Sequence, residues 1–214
     1  MIVASATVGP FAENSYLVVD EQAAGRPAVL IDPGDEGARI LEMVSDAHAT
    51  LTAIWLTHAH VDHIGGIAAV RSVYEVPIFL HPLDQPLYGA GARQAAAYGV
   101  PFVSPPPADH ALAEAQGLEV GGVAFEVMHV PGHAPGHVAF LSEGELFSGD
   151  CLFAGSVGRT DLPFCSPRDL ELSLQRLAAL PSRTVVRPGH GPVTTIGEEL
   201  RSNPFLRRFS GVGG

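Results

Sequence analysis

The chain has only two cysteines in 214 residues, Cys151 and Cys165, and neither lies in a Cys-x-x-Cys pair. That excludes a disulfide framework and a thiolate-bound structural zinc, and both thiols are expected to be reduced. Basic residues are scarce as well. Lys and Arg number 12 against 23 Asp and Glu, the formal charge is −11, and the basic residues form no run. Binding the phosphate backbone needs a clustered basic surface, so nucleic acid is not expected as a partner. No apolar stretch reaches membrane-spanning length, and Met1–Ala6 has neither the basic flank nor the long apolar segment of an export signal. The expectation is a soluble, cytoplasmic protein with no membrane partner.

Histidine is what the chain has in quantity, with 10 residues. With so few thiols, any metal site must use imidazole and carboxylate, which suits zinc, iron or manganese. A hydrophobic content of 46% over this length fits one globular domain, residues 1–214, and no linker divides it.

Four potential ligands, His58, His60, Asp62 and His63, fall within Thr57–Gly66, which reads Thr-His-Ala-His-Val-Asp-His-Ile-Gly-Gly. From composition alone such a pattern arises by chance on the order of once in a thousand chains. The preceding Leu51–Leu56 is an apolar, β-prone run too short for a helix, so the ligands are expected where a buried strand ends. An extended backbone points His58 and His60 to one side, and a turn at Gly65 and Gly66 brings Asp62 and His63 around.

Around this stretch the chain reads as strands at Ile2–Val8, Ser15–Val19 and Ala28–Ile31, then a helix over Ala38–Ala47 with Ile40, Leu41 and Val44 inward. A helix is expected over Ile64–Tyr74 and a buried strand at Pro77–Leu80. Residues 82–109 carry a weak signal and fit either a partly helical insertion walling a site or a surface connection. Leu118–Val120 and Val123–Val130 form a hairpin, as do Val138–Leu141 and Glu145–Phe147. Ser166 can cap a helix with Pro167 at its first position, Asp169 in its first turn and Leu170, Leu174 and Leu177 as its stripe. A short strand at Thr184–Val186 follows, and the Gly-Val-Gly-Gly ending at Gly214 is expected to be flexible.

Three further places repeat the theme of a metal-type residue after a strand, each preceded by glycine: His133 after Val130, Asp150 after Phe147 and His190 after Val186. His137 is read as an orienting residue rather than a ligand. His48, His81, His110 and His129 are read as surface or packing residues, Asp32 as a brace of the ligand loops, and Cys151 as pointing away from the site.

In the order His58-x-His60-x-Asp62-His63, His133, Asp150, His190, the sequence resembles the metallo-β-lactamase superfamily. The resemblance implies an α/β (α+β) fold, a four-layer αββα sandwich with the metal site at one edge of its two sheets. It implies two divalent cations, zinc in the first instance with iron or manganese as alternatives. His58, His60 and His133 would hold the first, Asp62, His63 and His190 the second, and Asp150 would bridge them. Such a pair lowers the pKa of a shared water and presents hydroxide to a carbonyl, with Asp62 as general base where the second position is empty.

Within that superfamily, Gly9-Pro10-Phe11-Ala12-Glu13-Asn14-Ser15-Tyr16, Ile31-Asp32-Pro33-Gly34 and Gly155–Pro163 resemble the glyoxalase II-like group. That implies hydrolysis of a small-molecule thioester such as S-lactoylglutathione. Only 24 residues follow His190, so the expectation excludes the C-terminal helical domain of longer glyoxalase II enzymes and leaves the thiol carrier open. Arg159 is the candidate to receive a substrate carboxylate, although pairing with Asp161 to brace its loop is the favoured reading of the two. The main alternative is a persulfide dioxygenase using one iron on His58, His133 and Asp150; further alternatives are another hydrolase of the fold and a non-catalytic metal-binding module.

Overall fold

The computed structural model describes residues 1–209; the glycine-rich ending Gly211–Gly214 lies outside the described residues. Strands β1 (Ile2–Val8), β2 (Glu13–Val19), β3 (Pro27–Ile31), β4 (Thr50–Trp55), β5 (Ile78–Leu80) and β6 (His110–Ala111) form one sheet in that order. β1 to β3 pair antiparallel and β3 to β6 parallel. The second sheet runs β14 (Thr194–Thr195), β13 (Val185–Pro188), β10 (Glu145–Gly149), β9 (Val138–Ser142), β8 (Val123–His129), β7 (Gly117–Val120). β11 (Leu152–Phe153) and β12 (Ser156–Val157) make a small separate hairpin.

Period-2 alternation builds the layers. In β2, Leu17 and Val19 join Leu30, Ile40, Val44 and Ile54 in a core under helix α1 (Gly37–Asp46). The alternate residues Tyr16 and Val18 join Val29, Ile31 and Trp55 against Val127, Val138, Phe140 and Phe147 of the other sheet. The far face of the second sheet, with Met128, Ala139, Leu146 and Val186, packs on Leu170, Leu174 and Leu177 of helix α6 (Pro167–Ala178). Three apolar layers separate four structural ones, the αββα sandwich the sequence leads to expect. α6 starts as its sequence dictates, with Ser166 Oγ accepting from the Asp169 amide at 3.2 Å and Pro167 in the first turn.

Two expectations change. The region after β4 is not one helix over Ile64–Tyr74 but two short ones, α2 (Val61–Ile64) and α3 (Ile67–Arg71). The break has a cause: Gly66 N donates to Pro33 O at 2.9 Å instead of continuing the helical ladder, and a Cβ on Gly65 would sit 2.4 Å from Gly34 O. Asp62 and His63 therefore project from a helical turn. Residues 82–109 contain a 3₁₀ turn (Pro82–Asp84) and two helices, α4 (Gln85–Gly89) and α5 (Gly91–Tyr98), the latter ending at Gly99 in the left-handed region with φ 68°. The last helix, α7 (Ile196–Ser202), is not anticipated above, yet Thr195 caps it by accepting from Glu198 N at 3.2 Å. Among the described residues no helix is long and apolar enough to cross a membrane.

Candidate metal centre

The C-terminal ends of β3, β4, β8, β10 and β13 share one edge of the sandwich, and the polar residues just beyond them converge there. His58 and His60 follow β4, Asp62 and His63 lie in α2, His133 follows β8, Asp150 follows β10 and His190 follows β13. Ring nitrogens of His58, His60 and His133 form one group whose members all lie within 4.8 Å of one another; Asp62, His63 and His190 form a second. His60 Nδ1 and His133 Nε2 face each other at 2.8 Å. Asp150 lies between the groups, with Oδ1 3.3 Å from His63 Nε2 and Oδ2 3.5 Å from both His133 Nε2 and His190 Nε2. Asp62 Oδ2 is 3.3 Å from His190 Nε2.

Four of the five imidazoles, those of His58, His63, His133 and His190, are oriented through their other nitrogen. Asp32 organises the deepest pair: Oδ1 accepts from Thr57 N at 2.7 Å, and Oδ2 accepts from Thr57 Oγ1 at 2.6 Å and from His63 Nδ1 at 3.0 Å. The Thr57 hydroxyl proton is thereby committed, so Thr57 Oγ1 accepts from His58 Nδ1 at 3.0 Å. The Nε2 atoms of both rings are then the ones left to face the centre. Asp32, His58 and His63 also converge as a third group, but these hydrogen bonds fill it. His133 Nδ1 donates to Arg159 O at 2.9 Å and His190 Nδ1 to Phe11 O at 3.1 Å. His137 is buried and accepts from the Asp150 amide at 2.9 Å, fixing the backbone of Asp150.

Do these residues fit a metal? His58 Nε2, His63 Nε2 and Asp150 Oδ1 are buried polar atoms with no hydrogen-bond partner. Buried acceptors without partners are costly and rare, and atoms converging in this way are what a cation satisfies. The charge balance agrees. Burial opposes protonation of His63, yet Asp150 and Asp62 overcome it and hold its pKa well above the usual value. Burial likewise opposes a charged His190, while Asp150 and Asp62 push it up to about 10. Burial drives His58 down and takes His60 to about 3, leaving both as neutral ligands. The two carboxylates thus demand positive charge, which divalent ions meet on displacing protons. The His and Asp groups fit a dinuclear site.

Sequence reasoning misses two supports. Asp84 is fully buried, its Oδ2 accepting from Ala59 N at 3.0 Å and its Oδ1 from Gly136 N at 2.5 Å, so it ties the loop of His58 and His60 to that of His137. Gln94 of α5 accepts from Val61 N at 3.1 Å and donates to Ala59 O at 3.1 Å. Both act on backbone groups distant in sequence, and no motif announces them. His81 and His129, read as packing residues, stack at 4.3 Å and 7°. His110 packs on Phe79, and Cys151 is buried under the second sheet.

A cavity of about 530 Å³ opens from the ligands between α5 and the Phe153–Phe164 segment. Its walls include Arg93, Gln94 and Tyr98 on one side and Arg159, Leu162 and Phe164 on the other. Residues 82–109 therefore wall the site. Arg159 lies on the rim with its guanidinium bound bidentately by Asp161, at 2.6 and 2.7 Å.

The profile of the Metallo-beta-lactamase superfamily matches residues 8–190. A probable metallo-hydrolase of Bacillus subtilis, YqgX, is 37% identical, aligned over 95% of this chain and 96% of its own. A hydroxyacylglutathione hydrolase of Haemophilus influenzae, GloC, is 35% identical over 95% of this chain and 97% of its own. Among solved structures, a di-iron-bound form of TTHA1623 superposes with a TM-score of 0.87 at 46% identity, covering 95% of this chain and 100% of that one. Since the fold, the His and Asp groups at the strand ends and these relatives agree, the chain belongs to the metallo-beta-lactamase superfamily and is a metal-dependent hydrolase of that superfamily.

Proposed function

We propose that this protein is a thioesterase of the glyoxalase II type, cleaving S-2-hydroxyacyl thioesters such as S-lactoylglutathione. The observation that carries the reading is what lines the cavity. Among the described residues, its titratable side chains apart from the candidate ligands are Arg93, Arg159 and Tyr98, and no Ser, Thr or Cys lines it. Among the described residues the cavity thus offers no Ser, Thr or Cys nucleophile and no His, Asp or Glu acid beyond the candidate ligands. A leaving group that departs as a stable anion needs no acid, and a thiolate is such a group where an amide nitrogen is not. The hydroxyacylglutathione hydrolase relative supports the same reading.

The protein's part is positioning. His58, His60 and His133 would hold one divalent cation, Asp62, His63 and His190 another, and Asp150 both. When bound, the pair supplies a water activated as nucleophile and a Lewis acid for the carbonyl oxygen. Water oxygen bonds to the acyl carbon, the C–S bond breaks, and the thiolate leaves into the open cavity to be protonated by solvent. Burial raises Asp62, but His63 and His190 outweigh it and hold its carboxyl below the usual range. Asp62 is therefore anionic at neutral pH, as a ligand must be, and is the group to take the proton from water where the second position is open. The Asp32 and Thr57 hydrogen bonds keep His58 and His63 in the ligating tautomer. A donor set without thiolate suits zinc, with iron also in keeping with the di-iron neighbour. The partner in this reading is a small thioester.

The test is metal analysis of the purified protein joined to thiol release from a thioester panel. Release from S-lactoylglutathione, reduced by about 100-fold or more in Asp62→Ala, is the expected result. Equal activity in the variant, or one iron per chain with oxygen uptake on a persulfide and no thiol release, overturns the proposal.

A further inference from the structure

We infer that Arg93 reads an acid group on the thiol carrier, so that the site is specific for anionic thioesters; this rests on the thioesterase reading. Two arginines line the cavity, and they are not equivalent. The Nε and Nη2 edge of Arg159 is taken by Asp161, whose carboxylate neutralises its charge. Arg93 is exposed, and among the described residues it has no carboxylate or side-chain hydrogen-bond partner. An unpaired arginine on open surface would mean little; this one projects from the wall of a cavity whose floor carries the candidate ligands.

The backbone that carries Arg93 is well held. Its neighbour Gln94 bonds both Ala59 O and Val61 N, the groups flanking His60, so α5 is pinned to the ligand loop at the adjoining residue. The Arg93 side chain therefore enters the cavity from an anchored point of the backbone, as a specificity residue requires. The cavity carboxylates Asp62 and Asp150 are engaged with His63 and His190, which leaves Arg93 available to a ligand. The same cavity wall carries the largely apolar side chains of Leu87, Ala97 and Tyr98. The fitting substrate has its acyl group at the ligands, a weakly polar stem along that wall, and a terminal anion. A planar guanidinium fork matches a carboxylate best, and glutathione-type carriers end in carboxylates.

The test compares three thioesters of one 2-hydroxy acid: with glutathione (carboxylates), with coenzyme A (phosphates) and with N-acetylcysteamine (neutral). In Arg93→Gln, the kcat/KM for the glutathione ester relative to the neutral ester is expected to fall about tenfold, through KM, and Arg93→Lys to recover part of it. An unchanged ratio overturns the inference, and so does a loss confined to the coenzyme A ester. Binding is read separately by calorimetric titration of S-methylglutathione, which has no acyl bond to cleave. About tenfold weaker binding in Arg93→Gln supports the anion site even if no thioester is hydrolysed, in which case only the hydrolase reading falls. Unchanged binding sinks the anion site whatever the enzyme hydrolyses.

Discussion

Asp32 is held in the left-handed region at φ 50°, an uncommon conformation for a residue other than glycine. It accepts three hydrogen bonds there, and two of them fix the histidines whose Nε2 atoms lack partners. Asn tolerates that backbone, so Asp32→Asn isolates the carboxylate. One amide oxygen cannot serve donors on both sides, and the amide NH₂ turns a donor toward either Thr57 or His63. We expect metal affinity about 10- to 100-fold weaker by competition with a chelating dye, and unchanged affinity refutes the bracing role.

Asp84 permits a prediction about pH. Burial pushes its carboxyl up to about 6, against the opposing bonds from the Gly136 and Ala59 amides. A carboxyl raised in the folded state contributes stability that is complete below its unfolded value near 4 and is lost as pH rises through 6. Asp84→Asn does not titrate. Between pH 4 and pH 7.5 the wild type should therefore lose stability relative to the variant, by at most about 3 kcal/mol. Urea midpoints of both proteins across that range measure it, and other titrating groups cancel in the difference. Parallel curves would show that Asp84 is not buried as described.

At the scale of elements, the regular parts were the most legible in the sequence. β2 and β4 carry short apolar, β-prone runs, β8 and α6 carry clear periodicity, and each candidate ligand stands where an apolar run stops at glycine or a turn. What the sequence hides is how loops approach one another. α2 and α3 divide because Pro33 and Gly34 press on Gly65 and Gly66, a contact between segments some thirty residues apart. Asp84 and Gln94 are hidden for the same reason, and α5 lacked a clear apolar stripe because one of its faces lines a cavity rather than a core. The cap of α7, Thr195-x-x-Glu198, was present as a signal.

The segment after β13 shows how tightly elements meet. A Cβ on Gly189 would lie 2.2 Å from Asp150 Oδ1 and 2.8 Å from His63 Cε1. Its backbone cannot retreat, because Gly189 N donates to Gly149 O at 2.9 Å and Gly189 O accepts from Asn14 N at 2.8 Å. Gly189→Ala should displace the bridging carboxylate, abolish at least about 99% of hydrolysis and leave fewer than two metals per chain, while costing only about 1–3 kcal/mol of stability as overpacking does. Full metal content with full activity is the contrary outcome.

For the whole molecule, the question is what the metal centre does for the fold. His58, His60, Asp62 and His63 come from the first sheet and its helices; His133, Asp150 and His190 come from the second. Cations at this edge would cross-link the two sheets through side chains that otherwise leave buried atoms unpaired. Three separate apolar layers, however, hold the sandwich together without them. Metal removal should therefore loosen the edge without unfolding the protein, unlike a zinc finger, whose fold depends on its metal. A ligand at about 1,000 times its Kd stabilises by about 4 kcal/mol, and a chain of this size shifts about 2–4 °C per kcal/mol. Chelation should thus lower the thermal midpoint by roughly 8–16 °C, recovered on adding metal back, with far-UV circular dichroism at 25 °C unchanged. Amide exchange should quicken at Thr57–Gly66 and around His133 and His190 and stay slow in β2, β9 and α6, since only the first set is held by the ions. Collapse of secondary structure on chelation would mean that the cores cannot carry the fold alone, and an unmoved midpoint would mean that the converging residues hold no metal.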